Sequence, residues 1–201
     1  MGIAWIRGDE EEGCGSKEGK EQPMMSRMLQ SRLVMVAGEV DPDLAERVVS
    51  QLLVLDGISQ EPIKVVISSP GGHVDSGYAI HDVMRFIASP VVAIGVGWVA
   101  SIAVPILLGA PKERRFTLPN TRFLLHQPSG GAGGQASDIR IEAQEILKIR
   151  KRINELIAFE TGQDMEKVGR DSDRNFWMSA EEALAYGLVA RIISNVGEIG
   201  K

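Results

Sequence analysis

Val91-Val92-Ala93-Ile94-Gly95-Val96-Gly97-Trp98-Val99-Ala100-Ser101-Ile102 runs into Ala103-Val104-Pro105-Ile106-Leu107-Leu108, and no residue from Phe86 to Pro111 is charged. By length alone such a stretch could span a bilayer. Its punctuation points elsewhere. Pro90 and Pro105 interrupt it, and Gly95 and Gly97 lie between them. Val91 to Ile94 is short and largely β-branched, as in a strand buried on both faces. Ile102 to Leu108 then reads as a buried helix. A strand over 91–96, a tight turn at the glycines and a helix over 102–108 form one unit of an α/β core.

The alternation extends in both directions. Leu33 to Val36 reads as a first strand. Asp41 caps the helix that follows, with Pro42 at its first position, where a missing N–H does no harm. Leu44, Val48, Leu52 and Leu55 form the apolar stripe of that helix. Ile63 to Ile67 is a second strand, broken by Pro70-Gly71-Gly72. Ile80, Val83, Met84 and Ile87 share one face of the next helix. Arg115 to Thr117 and Phe123 to Leu125 are short strands around a Pro119-Asn120 turn. From Gln135 to about Phe159, Ile139, Ile146, Ile149, Ile153 and Leu156 mark a narrow stripe near a 3.5-residue period. Such a helix projects from a body and packs on another helix or a neighbouring subunit. Ser179 and Glu182 form a capping box, and Leu188 to Ile193 closes as a strand.

With 201 residues and 44% of them hydrophobic, the chain holds one domain with a sizeable core. A net charge of -5 argues against a polybasic nucleic-acid binder. Aromatic residues make up 5% of the chain, too few for a base-stacking platform. A single cysteine, Cys14, excludes a disulfide framework and a cysteine-based zinc site, and fits a reducing, cytoplasmic compartment. Residues 1–23 pair the acidic run Asp9 to Glu12 with Gly13, Gly15 and Gly19, and offer little to bury. They read as a flexible tail ahead of a single domain over 24–195, with a flexible end over 196–201. They lack the pattern of a secretory signal.

Three histidines, His73, His81 and His126, have no spacing that suits a metal. Nucleophilic chemistry fits better. Ser101 follows a strand and opens an apolar helix, where backbone N–H groups are free to bind an oxyanion; its plainer role is an N-cap. Ser69 to Gly72 ends another strand and can present bare N–H groups, or serve only as a turn. In a parallel sheet both turns reach the same carboxyl edge. His126 ends a strand just before a Gly-rich segment from Ser129 to Gly134, either a slack loop or a side-chain-poor strand for a peptide. His73 and His81, the latter on the polar side of its helix, read as bystanders.

These residues together resemble the proteolytic subunit of the Clp protease over roughly Arg32 to Ile193. The motifs are I-S-S-P-G-G at 67–72, A-S-I at 100–102, L-P-N at 118–120 and H-Q-P-S-G-G at 126–131. G-Q-A-S-D-I at 134–139, E-I-L at 145–147 and A-Y-G-L-V at 185–189 follow in order. The resemblance implies a crotonase-like α/β fold of repeated ββα-type units, with a handle region over about 129–160. It implies a serine endopeptidase working inside two stacked seven-membered rings, a tetradecamer. An AAA+ Clp ATPase would unfold polypeptides and feed them in, spending ATP, while this subunit itself needs no cofactor or metal. By the same likeness Ser101 is the nucleophile and His126 the general base. Gly72 and Ile102 supply the oxyanion hole, and Ser129, Gly130 and Gly131 lie along the substrate. Gln135, Asp173 and Arg174 contact the opposite ring.

Two positions depart from the pattern. The third triad position is Asn175 where the family has Asp. An amide oxygen accepts the histidine's N–H but supplies no negative charge for the imidazolium. Asp171 and Asp173 would substitute only if their loop shifted. Pro105 stands four residues past Ser101, harmless in a first turn and disruptive deeper in a helix. Paralogues with this Asn work in mixed rings, so a weakly active or purely structural ring subunit is the alternative. An acyl-CoA enzyme of the same fold would instead set carboxylates beside the oxyanion hole.

Overall fold

The computed structural model describes residues 24–131 and 133–199. The tail expected over 1–23 lies outside the described residues. The chain runs through α1 (Met24–Gln30), β1 (Leu33–Ala37), α2 (Pro42–Ile58), β2 (Ile63–Ser69), α3 (Val74–Phe86), β3 (Val91–Ala100) and α4 (Ala103–Leu107). It continues through β4 (Arg115–Thr117), β5 (Arg122–Leu125), α5 (Ala136–Thr161), α6 (Met165–Asp171), β6 (Phe176–Met178), α7 (Ala180–Tyr186) and β7 (Arg191–Ile192). Local chemistry sets the boundaries. Asp41 accepts from the Leu44 amide at 2.7 Å and Pro42 opens α2. Ser179 and Glu182 close a reciprocal capping box on α7, which ends on Gly187 in the left-handed region.

Strands β1-β2-β3-β4-β7 lie side by side, all parallel. Strand β3 serves two neighbours. Its Ala93–Gly95 half pairs β4 and its Trp98–Ala100 half pairs β5, which in turn pairs β6 antiparallel. Gly97, at φ 67°, turns the strand between the two halves without ending it. Beyond the named strands, one isolated parallel bridge joins Val40 to Gly72. Val91 and Ala93 face the main core, Val92 and Ile94 a smaller one with Phe116 and Ile193. Strand β3 is therefore buried on both faces, as its composition requires.

Four expectations need correction. The strand does not stop at Val96 in a glycine turn; it runs to Ala100, because a positive-φ glycine bends a ladder that re-forms on a new neighbour. The closing strand is only Arg191–Ile192, since Leu188 and Val189 pack into the core as a turn instead. Val196–Glu198 forms a 3-10 turn and Ile199 packs on the smaller core, where a free end was expected. His81 is not on a polar face: it is buried, and its Nδ1 lies 2.7 Å from the Pro105 carbonyl. No helix among the described residues is long and apolar enough to cross a membrane.

Two buried polar groups hold the helix that follows Ser101. Arg115 is fully buried and donates to the carbonyls of Ala110 at 2.7 Å and Leu108 at 3.2 Å, and to the Glu160 carboxylate. It closes the C-terminal end of α4 and ties it to the end of α5. Arg115→Ala strands the Ala110 and Leu108 carbonyls and leaves Glu160 only the half-exposed Arg85, at 2.6 Å, and should lower the unfolding free energy by about 3 kcal/mol, read from urea unfolding.

His81 is held below its ordinary value of 6.5, first by burial, against the pull of its bond to Pro105. Its neutral form belongs to the folded state. As pH falls below about 6.5 the unfolded chain takes up a proton that the folded chain resists, so stability drops toward the lower folded value. His81→Asn keeps a donor for Pro105 and removes the titration. Its urea midpoint should fall less between pH 7 and pH 5 than that of the parent.

Candidate active site

Three strand ends meet at one edge of the sheet. Ser69 at the end of β2 pairs Val99, and Ala100 at the end of β3 pairs Leu124 of β5. The Ser101 amide continues that ladder, donating to the Leu124 carbonyl at 2.9 Å. One residue past Leu125 comes His126. Strand β6 runs back antiparallel, with Leu125 opposite Phe176, so the next pair outward is His126 and Asn175. His126 Nδ1 lies 3.2 Å from Asn175 Oδ1. With the amide oxygen accepting, Nδ1 carries the proton and Nε2 is free to act as a base.

Ser101 has φ 56°, a left-handed conformation rare outside glycine. Such strain, of about 1–3 kcal/mol, persists only where packing holds it. It is not a helix cap: Ile102 takes the cap position and Ser101 contributes only its carbonyl, to Val104 N at 3.0 Å. The Ser-Pro-Gly-Gly turn lies against it. A Cβ on Gly71 would sit 2.6 Å from Ser101 Cβ and 3.2 Å from the Ile102 nitrogen. The turn is pinned from below by buried Ser69, whose Oγ accepts from the Gly71 amide at 3.1 Å. The amides of Gly72 and Ile102 donate to no other described residue, so both stay available for an anion. Pro105 is the third residue of α4, within the first turn, and does no harm there.

Ser101 and His126 line one small pocket of ≈ 20 Å³ with Val74, Ile102, Leu125, Ile153 and Ile157. No hydrogen bond joins their side chains among the described residues. A larger groove of ≈ 540 Å³ opens beside it, lined by His126, Pro128, Ser129, Asp173, Arg174 and Asn175. No carboxylate lines the small pocket. Asp171 is taken by Lys167 at 2.8 Å and the Tyr186 hydroxyl at 3.0 Å, and Asp173 by Arg150 at 2.9 Å. Neither carboxylate stands in for Asn175.

The Gly-rich segment joins no strand among the described residues; Ser129, Gly130 and Gly131 are exposed, with Gly130 close to Ile146 of α5. Gln135 stands at the N-cap position of α5 without a side-chain capping bond, and the first ten residues of the helix are all exposed, with Ile139 and Ile141 among them. His73 caps α3 through Nδ1 and is structural. Among the described residues no cluster of His, Cys, Asp or Glu could hold a metal. Sequence reasoning missed Gln127, Arg150, Asn154 and Ser172, which hold the loop before Asn175. One signal existed: Asn154 is a polar residue beside the apolar stripe of α5.

The family model described as Clp protease matches residues 16–196. The chain belongs to the Clp protease family. It is 50% identical over 194 residues to an ATP-dependent Clp protease proteolytic subunit 3 of Rhizobium etli, covering 95% of this chain and 99% of that one. It is 53% identical to a Clp proteolytic subunit 2 of Gluconobacter oxydans, covering 86% and 78% of the two chains. A solved structure of an Asn-to-Asp mutant of ClpP1 from Listeria monocytogenes superposes with a TM-score of 0.81 at 47% identity, covering 87% of this chain and 98% of that one. The fold is thus the Clp protease fold, and its bent β3 carries the candidate nucleophile of this member.

Proposed function

We propose that the chain is a serine endopeptidase subunit of an ATP-dependent Clp protease. The observation that carries this reading is the strand register that sets Ser101, His126 and Asn175 at one edge, beside the uncommitted amides of Gly72 and Ile102. In the reaction, Ser101 Oγ attacks the scissile carbonyl carbon while His126 Nε2 takes its proton. The carbonyl oxygen becomes an oxyanion facing the Gly72 and Ile102 amides. The C–N bond breaks, the amine leaves with the proton from His126, and an ester to Ser101 remains. Water, deprotonated by His126, then attacks that ester, releases the acid and restores Ser101. Asn175 orients the imidazole and supplies no charge.

The pocket of ≈ 20 Å³ that Ser101 and His126 share has Val74, Ile102, Leu125, Ile153 and Ile157 as its apolar walls and holds about one water's volume.

The family also supports heptameric rings stacked as a tetradecamer, supplied with unfolded polypeptides by an AAA+ Clp ATPase, and a cytoplasmic site of action. The exposed first half of α5, which sets Ile139, Ile141 and Leu147 among charged residues, suits the role of inter-ring handle, with Gln135, Asp173 and Arg174 as contacts. A second reading, a structural subunit in a mixed ring, draws on Asn175 alone. Peptide hydrolysis by the purified ring fraction decides between them. Turnover lost in Ser101→Ala supports the peptidase; turnover equal in both chains, or absent from both until a second subunit is added, supports the structural role.

A further inference from the structure

The segment that delivers Asn175 runs from the end of α6 to β6 outside the sheet, so strand pairing does not hold it. Side chains do. Ser172 Oγ donates to Asn154 Oδ1 at 3.0 Å, with Ser172 1% and Asn154 6% exposed. Gln127, next to His126, donates to the Asp173 carbonyl at 2.8 Å, and Arg150 to the Asp173 carboxylate at 2.9 Å. Arg150 and Asn154 are one helical turn apart, so one face of α5 grips the segment twice. The three contacts are not equal. The Arg150 pair and the Gln127 bond are exposed, where water substitutes readily. Inside, removing the Ser172 hydroxyl takes from the buried Asn154 Oδ1 its one hydrogen-bond donor among the described residues.

Placement matters more here than it would with a carboxylate. A negative charge attracts an imidazolium over a range of positions. A neutral amide must present its oxygen, not its NH2, at bonding distance, and a rotated amide favours the wrong tautomer. We propose that Asn154, through its buried bond to Ser172, is a positioning residue that sets where Asn175 meets His126 and so governs the rate at which Ser101 is acylated. The inference rests on the serine-peptidase reading above.

A double-mutant cycle tests it, using the rate of Ser101 modification by a fluorophosphonate in the full-length, assembled chain. Ser172→Ala should slow labelling about tenfold, while in an Asn175→Ala background the same change should alter it less than about twofold. Ser172→Thr, which keeps the hydroxyl, should restore the parental rate. If Ser172→Ala does not assemble, Ser172→Cys keeps the volume, weakens the donor and carries the same cycle. Equal losses in both backgrounds, or no loss in either, overturn the inference while the serine reading stands. A parent chain that takes no label overturns the inference, and an assembled Asn175→Asp chain that takes none either overturns the serine reading as well.

Discussion

Gly72→Ala should lower kcat for peptide hydrolysis by about 10²–10³, the loss seen when one oxyanion donor is removed. Gly72 has φ 149°, and a Cβ there would land on the Val40 carbonyl oxygen and 2.8 Å from the Val40 nitrogen. Val40 is fully buried and bridged to this turn, its amide bonded to Gly71 O at 2.8 Å. The turn must therefore yield, and the Gly72 amide moves with it. Gly71→Ala should fail by a different route, because its φ is 92° and its Cβ would press 2.6 Å from Ser101 Cβ and 2.8 Å from the Ala100 carbonyl. That displaces the nucleophile itself. Gly57→Ala is the control: nothing lies within 4 Å of its Cβ, and α2 gains about 0.5–1 kcal/mol from the better helix former. Kinetics and thermal melts on the three variants separate a lost site from a lost fold.

The opposite change in rate is expected from Asn175→Asp. Register holds this position against His126 whatever the side chain, since Leu125 pairs Phe176 on the antiparallel strand. The substitution keeps the acceptor and adds the charge that stabilises the imidazolium as Ser101 is deprotonated. Loss of that charge with the geometry kept lowers a serine protease by roughly 10⁴ in kcat, so a gain approaching that size is expected, with at least about 10² in practice. KM should move little, because Asn175 lies across His126 from Ser101. Asn175→Ala tests the orienting role alone and should fall further below the parent. A parent already as fast as Asn175→Asp would show that orientation suffices here.

Much of the fold was legible because it rests on local chemistry. Asp41-Pro42 starts a helix by capping and by a fixed φ, and Ser179 with Glu182 does the same by reciprocal bonds. The β-branched run from Val91 to Ile94 is continuous because both faces of β3 are covered. The tight turn of the candidate site was legible where positive φ angles call for glycine, as at Gly71-Gly72. What the sequence did not disclose depends on where separate strands halt relative to one another. Gly97 looks like a turn yet passes β3 from β4 to β5, and no local pattern says that a ladder resumes beyond a bend. The burial of His81 follows from a Pro105 carbonyl that needs a donor, a demand made 24 residues further along the chain. The grip of Asn154 on Ser172 likewise joins α5 to a loop only in three dimensions. Asn175 itself was readable as a departure, and its bond to His126 came from the register of β5 and β6.

The central claim is that Ser101, activated by His126, is the nucleophile of this subunit. Intact-mass analysis of the assembled chain after a fluorophosphonate, followed by peptide mapping, tests it most directly. The account predicts one adduct, on Ser101, formed slowly in the parent and faster in Asn175→Asp, and absent from Ser101→Ala. An adduct that persists in Ser101→Ala, or no adduct even in folded, assembled Asn175→Asp, would contradict it.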